Sequence, residues 1–325
     1  MKKQLISAAV AGLISAPALA QVTVYGNVET GILSQDVSGS PTAANNVSTT
    51  LLLSNLINSS RLGFRGTEEI GGGLKAFFRL EQSVDLRSGS LGGQTTTSAG
   101  MFDRGAEVGL EGSFGAIKIG KYDLTATEGI DTAYSQMGNV GNFVWANSLR
   151  DIGTDVDHSI QYSSPSIGGF IAQIGTSLKD GNGGSDIVSY SVNGRVSGVS
   201  LAIGFSSSTR GAAEQTQTAM GASYNFGPVT IGATYSTMEN TGQGNQKNTV
   251  VSAVAPLFDG LSVHGVVLNA KLDAFGTTKA SETEKIGVAL SKAFSKRTVG
   301  YLAYVSTDTN GVETNQMYLA VNHRF

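Results

Sequence analysis

Short stretches of the chain alternate apolar and polar residues, and this period of two constrains the fold more than any other feature. In residues 22–32 the two residue types take opposite parities, with Val22, Val24, Val28 and Ile32 against Thr23, Tyr25, Asn27 and Glu29. Residues 60–67 and 74–81 repeat the pattern. Since successive side chains of a strand point to opposite faces, these stretches predict β-strands with one apolar and one polar face.

The links between these strands are short and long in turn. Seven are short: Glu69 to Gly73, Gly112 to Gly115, Pro165 to Gly169, Ser197-Gly198, Gly227-Pro228, Pro256 to Gly260, and Ser295 to Arg297. Between them fall longer, polar links: Leu33 to Ser59, Asp85 to Asp103, Tyr122 to Asp157, Lys179 to Ser185, Ser207 to Gln217, Met238 to Gln246, Asn269 to Thr283, and Asp308 to Gly311. Strict alternation of fifteen links predicts sixteen antiparallel strands, with both chain ends on the side of the short turns. Such segregation of loop length is typical of outer-membrane barrels.

The composition favours the same class. Only 14% of the residues are charged, against about 25% in soluble domains. No run of twenty apolar residues follows residue 20, which excludes a helical membrane protein. A membrane barrel needs no such run, because only one face of each strand meets lipid. The sequence therefore predicts an all-β fold, a 16-stranded antiparallel transmembrane β-barrel with its polar faces lining a lumen.

Residues 1–20 have the pattern of a cleaved signal peptide. Lys2 and Lys3 precede a short apolar run, Leu5 to Ser15, and Ala18-Leu19-Ala20 supplies the small residues of a cleavage site. Residues 21–325 are then expected to form a single barrel domain. Without the two lysines, 20 basic and 25 acidic side chains leave a net charge of −5, which argues against nucleic acid as a partner.

The aromatic residues and the last strand agree with a closed barrel. Eight phenylalanines lie at or near the short turns, where an interfacial girdle is expected: Phe64, Phe78, Phe114, Phe170, Phe226, Phe258, Phe294 and Phe325. The final residues alternate again, through Met317, Leu319, Val321, His323 and Phe325. We expect this strand to pair with residues 22–32, because a membrane barrel cannot leave an open edge.

Several segments resemble the trimeric general porins of Gram-negative bacteria, in particular those of Neisseria and the betaproteobacteria. They are VTVYGNVETG (22–31), SRLGFRGTEEIGGGLKAFFRLEQ (60–82), FDRGAEVGLEGSFGAIKIGK (102–121), SIQYSSPSIGGF (159–170), GASYNFGPV (221–229), LSKAFSKRT (290–298) and the terminal HRF. The resemblance implies a homotrimer in outer-membrane lipid and lipopolysaccharide that passes ions and small hydrophilic solutes. It also implies a long third extracellular loop folded into the pore, which corresponds to the link Tyr122 to Asp157.

The candidate pore constriction combines a basic cluster on the barrel wall with an acidic loop. Arg61, Arg104 and Glu81 match constriction positions of the resembled family, whereas Arg65 and Arg79 follow from strand parity. Asp131 is the centre of the acidic third link. Arg104 presents a conflict, because simple alternation places it with Ala106, Val108 and Leu110 on the lipid face, while the resemblance places it in the lumen. A bulge or a strand end would reconcile the two.

The sequence leaves the sign of ion selectivity open. Some anion-selective members of the resembled family carry a further arginine where this chain has Asp155. That departure and the net charge of −5 favour weak cation selectivity or little preference.

Three other functions compete with a general diffusion channel. A substrate-selective channel for sugars needs a track of lumenal aromatics, and Tyr25 and Phe77 alone do not make one. A hydrolase needs a nucleophile, a base and an orienting group, and none of the three histidines lies in such a constellation or at metal-ligand spacing. A structural or adhesin barrel would have a narrow bore. The sequence therefore predicts no enzyme activity, no cofactor and no metal.

Overall fold

The computed structural model describes residues 22–42, 45–55, 57–91, 100–124, 152, 155–178, 186–210, 213–240, 244–274 and 279–325. The expected signal peptide and Asp131 lie outside these residues. Within them, no helix is long and apolar enough to cross a membrane. Seventeen strands are present: β1 (Thr23–Ser38), β2 (Ser48–Ser54), β3 (Arg61–Gly71), β4 (Leu74–Ser83), β5 (Gly105–Gly112), β6 (Gly115–Tyr122), β7 (Val156–Ser163), β8 (Phe170–Ser177), β9 (Asp186–Val196), β10 (Val199–Arg210), β11 (Ala213–Asn225), β12 (Thr230–Asn240), β13 (Gln246–Pro256), β14 (Leu261–Leu272), β15 (Ser281–Ala293), β16 (Thr298–Thr309) and β17 (Val312–Arg324).

These seventeen strands occupy the sixteen strand positions of a closed antiparallel barrel, so the predicted fold class is confirmed. The second strand position is shared by two strands, because β2 and β3 both pair with β1. Thr30 lies opposite Ser54 of β2, and Asn27 lies opposite Arg61 of β3. Each later strand pairs with the next, and β17 returns to pair with β1, for example at Ile32 and Leu319. The expected closing pair is confirmed.

The outward face of the wall is an apolar band. Val251, Val267, Leu302 and Leu319 are all about half exposed, as expected where side chains meet acyl chains instead of protein. The inward face is mostly polar or small. It also carries a buried cluster, here called the inner apolar patch, made of Leu33, Ile57, Val250, Val266, Leu268, Ala270, Ala289, Tyr301, Ala303, Val305, Tyr318 and Ala320. The expectation that apolar residues face only outward is therefore wrong for β13–β17.

Several predicted links are shorter in the structure. β10 continues to Arg210 and β11 begins at Ala213, inside the predicted link Ser207 to Gln217. β1 continues to Ser38, and β2 lies within the predicted link Leu33 to Ser59. Strands that project beyond the hydrocarbon are wet on both faces, so they need no alternation and the pattern ends too early.

One of the expected longer links is a tight hairpin. β16 and β17 are joined by Asn310 and Gly311 alone, with φ values of 55° and 83°. Two consecutive positive φ angles and the Asn-Gly pair are typical of a two-residue type I′ turn. Loop length therefore does not alternate as strictly as the sequence predicts.

The girdle at the short-turn end is confirmed in part. Phe114, Phe226, Phe258, Phe294 and Phe325 are exposed on the surface. Phe64, Phe78 and Phe170 are partly buried.

Candidate functional site

A group of charged side chains lies on the lumen side of β1 and β3–β6. On β3 and β4 the polar parity points inward, and Arg65 lies opposite Arg79 in the ladder. Tyr25 of β1 lies opposite Gly63, where a β-carbon would collide with the tyrosine ring. The missing side chain of Gly63 thus leaves room for the ring on the inner wall.

Glu81 is the centre of this group. Its Oε1 lies 2.9 Å from Nε of Arg104 and 3.4 Å from a terminal nitrogen of Arg61. Its Oε2 accepts a hydrogen bond of 2.8 Å from the phenol of Tyr25 and lies 3.9 Å from Arg79. The side chain of Glu81 is only 5% exposed, so the carboxylate holds three arginines and a tyrosine in fixed positions.

Arg104 reaches the lumen from a turn. It directly precedes β5, which begins at Gly105, and its backbone N–H donates to the carbonyl of Glu81 over 3.2 Å. The alternation of β5 does not extend into this turn. Arg104 can therefore point into the lumen, although simple alternation would place it on the lipid face.

Two charged members of the group are not among the residues predicted from the sequence. Glu107 of β5 accepts a hydrogen bond from Nε of Arg79 over 2.9 Å, and its second oxygen lies 3.5 Å from Nζ of Lys118. The ammonium of Lys118 also lies 4.0 Å from the ring centre of Tyr122. Alternation could have identified both, because Lys118 stands between Ile117 and Ile119, and Glu107 precedes Val108.

Arg65 belongs to the group through an aromatic ring. Its guanidinium carbon lies 5.0 Å from the ring centre of Tyr25, within range of a cation–π interaction. Tyr25 therefore connects Arg65 to Glu81, and the phenol was not among the expected constriction residues.

We call this group the cationic wall: Arg61, Arg65, Arg79, Arg104, Lys118, Glu81, Glu107 and Tyr25. Its five cations and two carboxylates leave an excess of three positive charges. Fixed charges beside a low-dielectric protein wall focus the local field and attract counter-ions. Of the six expected constriction residues, the structure brings together Arg61, Arg65, Arg79, Arg104 and Glu81, while Asp131 lies outside the described residues. In the described part of the chain, no group of three or more His, Cys, Asp and Glu side chains is arranged to hold a metal ion.

A closed antiparallel barrel with an apolar exterior and a charged inner wall defines a β-barrel membrane channel. Residues 7–312 match the Gram-negative porin family, and the chain belongs to that family. It is a channel-forming protein of the outer membrane, and family membership assigns it to channels and not to enzymes.

Three comparisons illustrate the relationship. The chain is 32% identical to outer membrane porin protein 32 of Delftia acidovorans, over 70% of this chain and 67% of that protein. It is 29% identical to major outer membrane protein P.IB of Neisseria meningitidis serogroup B, over 58% of this chain and 54% of that protein, so the match spans about half of that relative. The solved anion-selective porin from Comamonas acidovorans has the same fold, with a TM-score of 0.78 and 24% identity, over 94% of this chain and all of that chain.

Proposed function

We propose that the chain is a general diffusion porin whose constriction is the cationic wall and whose bore favours small anions. The observation that carries the proposal is the excess of three positive charges on one side of the lumen. Charges further away than about 8–10 Å are largely screened at physiological salt. The local excess therefore outweighs the net charge of −5, which includes distant outer loops. The anion-selective relative supports the same sign.

Within this proposal, Arg61, Arg65, Arg79 and Arg104 attract passing anions, and Glu81 holds three of them in place. Asp131 would face them from the third link and divide the constriction into a positive and a negative side. Opposed charges of this kind select by field as well as by size.

We also propose that the third link, between Tyr122 and Val156, folds into the bore. Support comes from the inner apolar patch, where Leu268 is 1% exposed and Val305 is 3% exposed on the face that borders the lumen. Apolar side chains that lined a wetted channel would be more exposed. The link of 33 residues, from Asp123 to Asp155, is the longest connection of the barrel and is long enough to cover the patch.

A homotrimer in outer-membrane lipid and lipopolysaccharide completes the proposal, as the family resemblance implies. A trimer predicts channel openings in groups of three equal steps in a planar bilayer.

The deciding experiment is a conductance measurement in a salt gradient on the double variant Arg61→Gln/Arg79→Gln. We expect conductance to persist and the reversal potential to shift toward cations. The excess charge of the wall falls from three to one, and the anion-to-cation permeability ratio should fall about fivefold, the effect of two unit charges at about 7 Å that are screened by salt and act on the two ions with opposite sign.

The matched control is Lys271→Gln/Arg297→Gln, which removes two exposed cations far from the cationic wall. Its reversal potential should equal that of the unchanged protein. A silent bilayer with correctly folded protein would contradict the channel, and an unshifted reversal potential in the arginine variant would place the constriction elsewhere.

A further inference from the structure

The two ends of the third link carry facing carboxylates. β6 ends at Tyr122 and β7 begins at Val156, and these two residues are paired. Asp123 and Asp155 lie directly beyond this pair, at the two ends of the third link. The backbone N–H of Asp155 donates to Oδ1 of Asp123 over 2.7 Å. Like charges opposite each other on neighbouring strands repel, so this hydrogen bond holds together two groups that resist being ionised together.

Asp155 is enclosed by charges of both signs. From β6 it is faced by Lys121, from the residue after β6 by Asp123, and from the turn before β5 by Arg104 and Asp103. Nζ of Lys121 donates to the backbone carbonyl of Asp155 over 2.6 Å and pairs with Asp157 over 2.7 Å. The lysine is therefore shared between two partners. Burial, together with the repulsion from Asp123, raises the pKa of the Asp155 carboxyl to about 6.

Arg104 connects this acidic site to the cationic wall. It bonds Glu81 over 2.9 Å through Nε and is also among the cations that attract the carboxylate of Asp155. The charge of Asp155 therefore acts on the same field as Glu81 and Glu107. When ionised, Asp155 lies beside the wall and offsets one of its three excess positive charges.

We propose that Asp155 is a selectivity-setting residue of the channel, whose carboxylate weakens anion preference when ionised and restores it when protonated. The inference rests on the proposed diffusion function. Because protonation removes a negative charge, anion preference should rise as the pH falls. One unit charge at about 7 Å, screened by salt and acting on anions and cations with opposite sign, corresponds to a change of about two- to threefold in the anion-to-cation permeability ratio.

The test is the reversal potential of the full chain in a salt gradient, measured with KCl at about pH 7.5 and at about pH 5, on either side of the raised pKa. The unchanged protein should become more anion-selective at the lower pH. Asp155→Asn should have, at both pH values, about the anion selectivity that the unchanged protein reaches at the lower pH, and it should show little change between them. Asp123→Asn removes the repelling neighbour, so the midpoint of the change should move to lower pH.

Two controls separate Asp155 from other groups. His158 is an exposed side chain three residues from Asp155, and His158→Gln should keep most of the pH dependence. Glu239→Gln removes an exposed carboxylate on β12 and should leave the dependence unchanged.

The possible results separate this inference from the proposed function. Conducting channels without pH dependence, or with a dependence that survives Asp155→Asn, would overturn the role of Asp155 and leave the channel intact. If no channel conducts, the proposed function fails. Carbon NMR of aspartate-labelled barrels in detergent then still tests the site. The carboxyl resonance of Asp155 is the one that Asp155→Asn lacks, and a titration midpoint near pH 4 for that resonance would overturn the role of Asp155.

Discussion

The carboxylate of Glu29 stabilises the interruption between β2 and β3, which share the second strand position. Glu29 is fully buried on β1, and it accepts hydrogen bonds from the backbone N–H groups of Ile57 and Asn58 and from the side-chain amides of Asn58 and Asn322. Its own N–H donates to Oγ of Ser60. These contacts hold residues 57–60 against the inner wall directly before Arg61, whose Nε donates to the carbonyl of Ser59 over 3.2 Å.

We therefore predict that Glu29→Gln destabilises the barrel by about 3 kcal/mol, because an amide nitrogen would face N–H donors and leave buried groups unpaired. The free energy of unfolding, measured by urea titration in detergent micelles, checks this value. Glu284→Gln changes an exposed glutamate of β15 in the same way and should have little effect. Equal stability of the two variants would contradict the role of Glu29.

The alternation of side chains along each strand predicts much of the cationic wall. It places Arg61, Arg65, Arg79 and Glu81 inward, and the same rule applied to residues 105–121 would have added Glu107 and Lys118. Parity cannot place Arg104 or Asp155, since both lie just outside a strand, where the chain no longer alternates. Their positions depend on contacts with Glu81 and Asp123, distant in sequence.

At the scale of elements, the sequence predicts a strand wherever the wall crosses lipid. It does not predict the interruption between β2 and β3, since the position of residues 57–60 depends on Glu29 and Asn322 from other strands. It also ends β1 and β10 too early, since their outer ends are wet on both faces. Strand limits therefore follow from the sequence only within the hydrocarbon layer.

The closing pair β1 and β17 depends on a glycine. Gly26 and Phe325 exchange two backbone hydrogen bonds of 3.1 Å, and a β-carbon on Gly26 would meet the ring of Phe325 and, at 2.7 Å, the carbonyl of Arg61. We predict that Gly26→Ala and deletion of Phe325 both lower the yield of heat-modifiable folded barrel, measured by gel mobility. Gly265→Ala meets no atom within 4 Å and serves as the control. Normal yields would mean that the terminal ring is dispensable.

At the scale of the whole molecule, the inner apolar patch is the feature that a membrane-barrel pattern does not anticipate. Val266 and Leu268 lie on the lumen side of β14, whereas Val267 between them faces outward. Apolar residues on both faces make a strand's orientation ambiguous in sequence. The burial of the patch depends on contacts inside the barrel between residues far apart in the sequence, and no local sequence pattern contains them.

We predict that Leu268→Cys is unreactive toward a membrane-impermeant maleimide in the full chain and becomes at least about tenfold more reactive when residues 127–149 are replaced by a short glycine-serine linker. The buried patch loses its cover in the shortened chain, and the chain has no cysteine of its own to interfere. Thr67→Cys, exposed on the lumen side of β3, should react in both backgrounds. High reactivity of Leu268→Cys in the full chain would contradict a folded-in third link.

The hydrogen bond between Glu29 and Asn322 spans 293 positions of the chain. The first strand has no neighbour on that side until the last strand is in place, since β1 and β17 pair with each other. Until then both strands expose unpaired backbone that invites aggregation. We expect a copy of the chain in this open state to need protection from other strands on its way to the bilayer.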